Sequence, residues 1–256
     1  MPHSRTRIPA ALGAAILALT LISCNATPSP TPISDNRSAT YDTRQQSLPD
    51  NRASDTPRSG PHRGRSRHNQ AAENAQPGNF DFYLLNLSWS PEFCATHPSS
   101  PECSAHPGFV VHGLWPQNSD GTYPEHCSDA PGPTDPNSFT NLLPTASLVE
   151  HEWTTHGTCS GLAADAYFAT IRKAFQEIHI PAAFTSTQAP PTMLAPDAIL
   201  AQFTAANPGI LAASFALSCG NNYLTAIEVC MDKSLHPEAC QNVRSCRANA
   251  VKITPR

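Results

Sequence analysis

Eight cysteines crowded into one stretch of the chain constrain its folding more than any other feature. They stand at 94, 103, 127, 159, 219, 230, 240 and 246, and a ninth, Cys24, lies far upstream. What they become depends on compartment. The chain opens with His3, Arg5 and Arg7, followed by an almost wholly apolar or small run from Ile8 to Ile22. That run is short for a membrane-spanning helix and fits the apolar core of an export signal. Behind such a signal, an even set of cysteines reads as four disulfides formed in an oxidising compartment. A zinc site is the competing reading, and the absence of any Cys-x-x-Cys pair weighs against it. Eight cysteines can pair on the order of a hundred ways, so spacing alone leaves the connectivity open.

The rest of the chain divides by composition. Residues 1–24 form the signal, which ends in Leu21-Ile22-Ser23-Cys24. This resembles the lipobox of bacterial lipoproteins, in which the cysteine is lipidated and becomes the mature N-terminus. Ordinary cleavage nearby, giving a soluble product, is the alternative. Residues 25–77 are rich in Pro, Ser, Thr, Asn and Arg and poor in large apolar side chains. Such a segment cannot bury enough surface to offset its ordering entropy, and it is expected to be a disordered tether. Its seven arginines and five acids make it slightly basic. Simple solvation accounts for that, and weak capture of RNA or an anionic surface is the sharper alternative. Residues 78–256 are long enough for a full core. They hold seven Lys and Arg against fifteen Asp and Glu, a net −8 with histidine neutral. That excludes gripping long nucleic acid through a broad basic face, but not holding a short stretch in a cleft. Eight histidines in this part soften the charge below about pH 6.5, so anion binding is expected to improve in mild acid.

The pattern within 78–256 is mixed α and β. Strands are expected at Phe80–Trp89, Phe109–Val111 and Tyr223–Cys230, each a short run of apolar or aromatic residues. Helices are expected at Leu148–His156, with Gly157 beyond it, and at Asp165–Ile178, where Tyr167, Phe168, Ile171, Phe175 and Ile178 recur at helical spacing. A further helix is expected over Asp197–Ala206, followed by Pro208 and Gly209.

Two segments carry chemistry: His112-Gly113-Leu114-Trp115-Pro116, and His151-Glu152-Trp153-Thr154-Thr155-His156-Gly157-Thr158-Cys159. Three histidines and a carboxylate are an acid–base set that works near neutral pH. The second segment superficially suggests a zinc hydrolase, whose His-Glu-x-x-His motif puts two histidines four apart on one helix face. Here they are five apart. Five steps of about 100° leave them roughly 140° apart around a regular helix, too far round to share an ion. Glu152 and His156 are four apart and share a face. The isolated His97, His106, His126, His179 and His236 are expected to be structural, and Trp153 to fill the core.

Together the two segments resemble the signature motifs of the ribonuclease T2 family, in the family's chain order. The resemblance extends to Leu87-Ser88-Trp89-Ser90-Pro91 with Cys94, and to Cys219 and Glu228-Val229-Cys230. It implies an α+β, ribonuclease T2-like fold, with a mainly antiparallel central sheet, flanking helices and disulfide staples. It implies a monomeric, exported endoribonuclease of the cell envelope, periplasm or extracellular space, which cleaves single-stranded RNA without metal or cofactor. The catalytic residues would be His156 as base, His112 as acid, and His151 and Glu152 on the phosphate. Trp115 and Tyr123 match positions that pack against the base 5′ to the cut. Gln117 stands where some members have an Asp that favours one base. The implied disulfides are Cys94–Cys103, Cys127–Cys159, Cys219–Cys246 and Cys230–Cys240. One departure stands out: the family usually has Lys just before the last histidine, and this chain has Thr155. A hydroxyl donates a hydrogen bond to a negative phosphorane but supplies no charge. The alternative is therefore a catalytically weak module of the same fold that binds RNA or a protein.

Overall fold

A computed structural model describes residues 70–71, 75–105, 108–185 and 192–256. The expected signal with Cys24, most of the expected tether and His106 lie outside the described residues. The centre is an antiparallel sheet. Strand β1 (Phe82–Trp89) runs into a short helix α1 (Ser90–Thr96), and β2 (Phe109–Gln117) follows. Helices α2 (Ala146–Thr155), α3 (Ala164–Gln176) and α4 (Pro196–Ala206) come next, and β3 (Phe215–Gly220) and β4 (Tyr223–Met231) close the sheet. β1 is flanked by β2 on one edge and β4 on the other, and β3 pairs with the far edge of β4, all antiparallel. Short strands at Val251–Lys252 and Met193–Leu194 extend the sheet beyond β4. Fold and helices match the expectation from sequence, with ends differing by a few residues. Among the described residues no helix is long and apolar enough to cross a membrane.

β1 shows little polar alternation because it is covered on both faces. Leu85, Leu87 and Trp89 enter the main core with Tyr167, Phe168 and Ile171 of α3, while Phe82 and Leu84 join Trp115 and Cys230 in a smaller cluster. One difference from expectation stands out. β2 runs on to Gln117, so the whole His-Gly-Leu-Trp-Pro segment is strand. Ahead of β1, Gln70–Ala71 pair in parallel with Thr122–Tyr123. Backbone pairing needs no apolar side chain, which is why composition does not reveal it.

Four disulfides brace the irregular parts. Cys94–Cys103 joins α1 to the turn after it. Cys219–Cys246 and Cys230–Cys240 fasten the C-terminal segment to β3 and β4, where regular hydrogen bonding is sparse. Cys127–Cys159 ties the loop after β2 to the turn after α2, the two regions that carry the histidine motifs.

Candidate active site

The site forms where β2 meets the C-terminal end of α2. Val111 and Leu114 are three residues apart, yet both are buried in the core. Strict alternation forbids that, and a β-bulge permits it. Asn86 pairs with Gly113 and Leu87 with Val111, so His112 is the extra residue without a register partner. The bulge turns the His112 ring away from the core. There its Nδ1 lies 3.1 Å from Ser88 Oγ and its Nε2 3.4 Å from Glu152 Oε1.

Glu152 reaches this point from α2 and is completely buried. Trp115 Nε1 donates to its Oε2 at 2.8 Å. The carboxyl group lies directly over Gly113: a Cβ there would fall 1.8 Å from Glu152 Oε2 and 2.6 Å from Trp115 Nε1. The glycine of the first motif is thus required by the carboxyl group of the second. Trp115 is itself buried, and its ring lies 5.1 Å from that of His156. Its visible task is to hold Glu152, with only a rim left for a nucleobase.

α2 is capped by Thr145, whose hydroxyl accepts from Leu148 N, and ends at Thr155. Gly157 is needed just beyond, because a Cβ would meet Trp153 Cε3 at 2.5 Å and Tyr167 Cδ1 at 2.9 Å. Trp153 fills the core as expected and donates from Nε1 to Ala130 O. His156 occupies the C-cap with φ −113°, so it has left the regular helix. The helical-wheel separation of His151 and His156 therefore does not hold. Their rings approach to 6.3 Å, and the donor atoms of His151, Glu152 and His156 lie within 4.8 Å of one another. Distance alone would suit a metal ion. The carboxyl group suits one poorly, because Oε2 is already bonded to Trp115 and burial favours its neutral form.

Electrostatics set the character of the site. Burial drives His156 well below the usual imidazole range, and the fields of His151, His112 and His126 push the same way. Burial and His151 bring His112 down to about 4. His151 is lowered by burial and by His126. Burial raises Glu152 well above the usual carboxyl range, against the Trp115 hydrogen bond. His112 Nε2 and Glu152 Oε1 face each other without a hydrogen bond, and burial disfavours charge on both groups. His156 Nδ1 is buried without a hydrogen-bond partner, an expensive condition that calls for a functional reason.

Thr155 is buried, and its hydroxyl lies 3.5 Å from His151 Nδ1, at the limit of a hydrogen bond. Its carbonyl accepts from His126 N at 2.9 Å. His126 takes a left-handed backbone (φ 52°) one residue before the bridged Cys127. Its sequence position suggests a merely structural role, yet its field reaches His151 and His156. The signal available in sequence is its place beside Cys127, which is informative only once the Cys127–Cys159 bridge is known. Gln117 and Tyr123 lie at the end of β2 and in the turn after it. Gln117 donates to Pro116 O, and Tyr123 is half-buried. His97 stacks on Phe93, His179 N donates to Asn207 Oδ1, and His236 pairs with Asp232.

Fold and site define a disulfide-braced α+β protein with histidines gathered around a buried carboxyl group beside an antiparallel sheet. The profile of the Ribonuclease T2 family matches residues 80–240, and the chain belongs to that family. A ribonuclease of Aeromonas hydrophila is 48% identical over 90 residues, which cover 34% of this chain and only 41% of that protein. Ribonuclease DdI of Dictyostelium discoideum is 33% identical over 186 residues, covering 63% of this chain and 78% of the relative. Among solved structures, a mutant of RNase MC1 in complex with 5′-UMP superposes with a TM-score of 0.56 at 25% identity, over 68% of this chain and 98% of that one.

Proposed function

We propose that this chain is an endoribonuclease that cleaves single-stranded RNA by transphosphorylation. His156 takes the proton of the ribose 2′-OH, the 2′-oxygen bonds to phosphorus, and the bond from phosphorus to the 5′-oxygen breaks. His112 gives its proton to that departing oxygen, leaving a 2′,3′-cyclic phosphate that water can open to a 3′-phosphate. His151 and Glu152 face the phosphate and offer it hydrogen bonds. The observation that carries this reading is the buried, unpartnered Nδ1 of His156, close to His112 and Glu152. An imidazole kept neutral by burial is ready to accept a proton. The phosphodiester anion, in turn, favours proton uptake at His112, against the effect of burial.

The test is incubation of the purified, oxidised protein with end-labelled single-stranded RNA in mild acid and excess EDTA. A His112→Phe, His156→Phe variant controls for contaminating nuclease. Cyclic-phosphate ends from the parent alone support the reading and show that Thr155 is tolerated. RNA binding without turnover by the folded parent favours instead a binding module weakened by Thr155. We further propose export to the envelope or beyond, with lipid anchorage through Cys24. The four disulfides support the compartment. Mass spectrometry of the mature N-terminus tests the anchor, and an unmodified terminus downstream of Cys24 overturns it.

A further inference from the structure

One ionisable side chain near the site has no part in the chemistry above. Glu228 on β4 is half-buried, and loss of water pushes its carboxyl up to about 7. Asn86 Nδ2 donates to Glu228 Oε1 at 3.3 Å. Ser88 Oγ lies 3.3 Å from Asn86 Oδ1 and 3.1 Å from His112 Nδ1. A continuous polar chain therefore runs from β4 across β1 to the bulged histidine of β2, and His112 Nε2 continues it toward Glu152.

The directions in this chain follow from donor and acceptor chemistry. Asn86 meets Glu228 Oε1 through Nδ2, so the amide presents its NH2 to the carboxyl group. Asn86 Oδ1 then faces Ser88 and accepts the single hydroxyl proton. Ser88 Oγ is left with lone pairs alone for His112, whose Nδ1 must carry hydrogen. That selects the tautomer with Nε2 as the working nitrogen. The strand register makes the arrangement possible. Asn86 stands opposite Glu228 on one side and Gly113 on the other, and the bulge brings His112 beside Ser88.

We propose that Ser88, Asn86 and Glu228 are positioning residues for the known reaction class of this family, a relay that fixes the His112 tautomer and steadies its protonated form. The inference rests on the acid role assigned to His112. The other ionisable groups whose fields or contacts bear on that imidazole are Glu152 and His151 of α2 and His156 at its end. They act at the Nε2 side or through space, whereas the relay acts at Nδ1.

The test uses the full oxidised protein with Ser88→Ala, Ser88→Thr, Glu228→Gln and His112→Phe variants. Nitrogen-15 imidazole spectra report the tautomer without reference to activity. The expected result is an Nδ1–H tautomer of His112 in the parent and a mixture in Ser88→Ala. Ser88→Ala is expected to lower kcat by at least about tenfold with KM little changed, and Ser88→Thr to restore most of it. Glu228→Gln offers the Asn86 amide a donor as well as an acceptor, so it is expected to loosen the amide's orientation and to shift part of the His112 population to the other tautomer. The relay is overturned if Ser88→Ala and Glu228→Gln leave tautomer and kcat unchanged while His112→Phe abolishes cleavage. If His112→Phe itself cleaves normally, the acid assignment fails first and the relay falls with it.

Discussion

A single methyl group at Gly113 offers a sharp test of how the two motifs depend on each other. In Gly113→Ala the new Cβ would lie 1.8 Å from Glu152 Oε2, against an ordinary separation of about 3.5 Å. The carboxyl group must give way by about 1.7 Å. It has no free direction, being fully buried, held by Trp115 Nε1 on one oxygen and close to His112 Nε2 on the other. Displacement of about 1 Å from productive geometry costs roughly a hundredfold in rate, and that loss is expected in kcat. Overpacking and the broken Trp115–Glu152 bond together cost about 2–4 kcal/mol of stability. For a domain of this size each kcal/mol lowers Tm by about 2–4 °C. Gly132→Ala is the control, since on its exposed loop the Cβ would touch only the edge of the Trp153 ring, at 3.2 Å from Cδ1 and 3.8 Å from Cγ and Nε1. Initial rates on RNA and thermal unfolding of the three proteins decide the matter. If Gly113→Ala keeps more than about a third of parental kcat and a Tm within about 1 °C, the carboxyl group does not sit where the reasoning requires.

Other outcomes follow from the same geometry. The three site histidines are all lowered, so the acid form needed for proton donation drains away at lower pH than in free imidazole; the alkaline limb of kcat/KM should fall below about 6.5, and a limb above 7 would contradict it. His126→Ala removes a positive field from His151 and His156, so a limb that depends on them should move upward, and no movement would place His126 outside the site. Replacing Cys127 and Cys159 together by Ser opens a loop of 32 residues and is expected to cost about 3–4 kcal/mol by denaturant unfolding. Trp115→Phe leaves Glu152 Oε2 buried without its donor; a loss of about 1–3 kcal/mol is expected, with kcat reduced more than about tenfold, and an unchanged kcat would assign Trp115 to packing alone.

How much of this is legible in the sequence depends on how local the cause is. The helix α3 is visible because Tyr167, Phe168 and Ile171 satisfy one period and all point into one core. β3 (Phe215–Gly220) is not, since a short apolar run without alternation carries no period. Only Phe109–Val111 of β2 reads as strand, because Gly113 and Pro116 are poor strand formers, yet tertiary pairing with β1 carries the strand through both. The site residues are recognisable as residue types in a pattern, but their geometry is not. The helical wheel holds His151 and His156 apart; it assumes a helix through position 156, whereas Gly157 packs under Trp153 and Tyr167 and the helix stops at Thr155. His112 faces the site only because a bulge breaks the two-residue period. In both cases an interruption of regular structure creates the contact, and a periodic reading fails at that point. His126 shows the longer-range version: its neighbour Cys127 marks it only once the bridge is known, and it reaches the site through its bond to Thr155 O and that bridge. The bulge and the end of α2 both bring histidines to Glu152, a buried carboxyl group whose surroundings leave it little room to move. The regular elements supply a rigid frame, and their interruptions bring the acid–base groups of this site together.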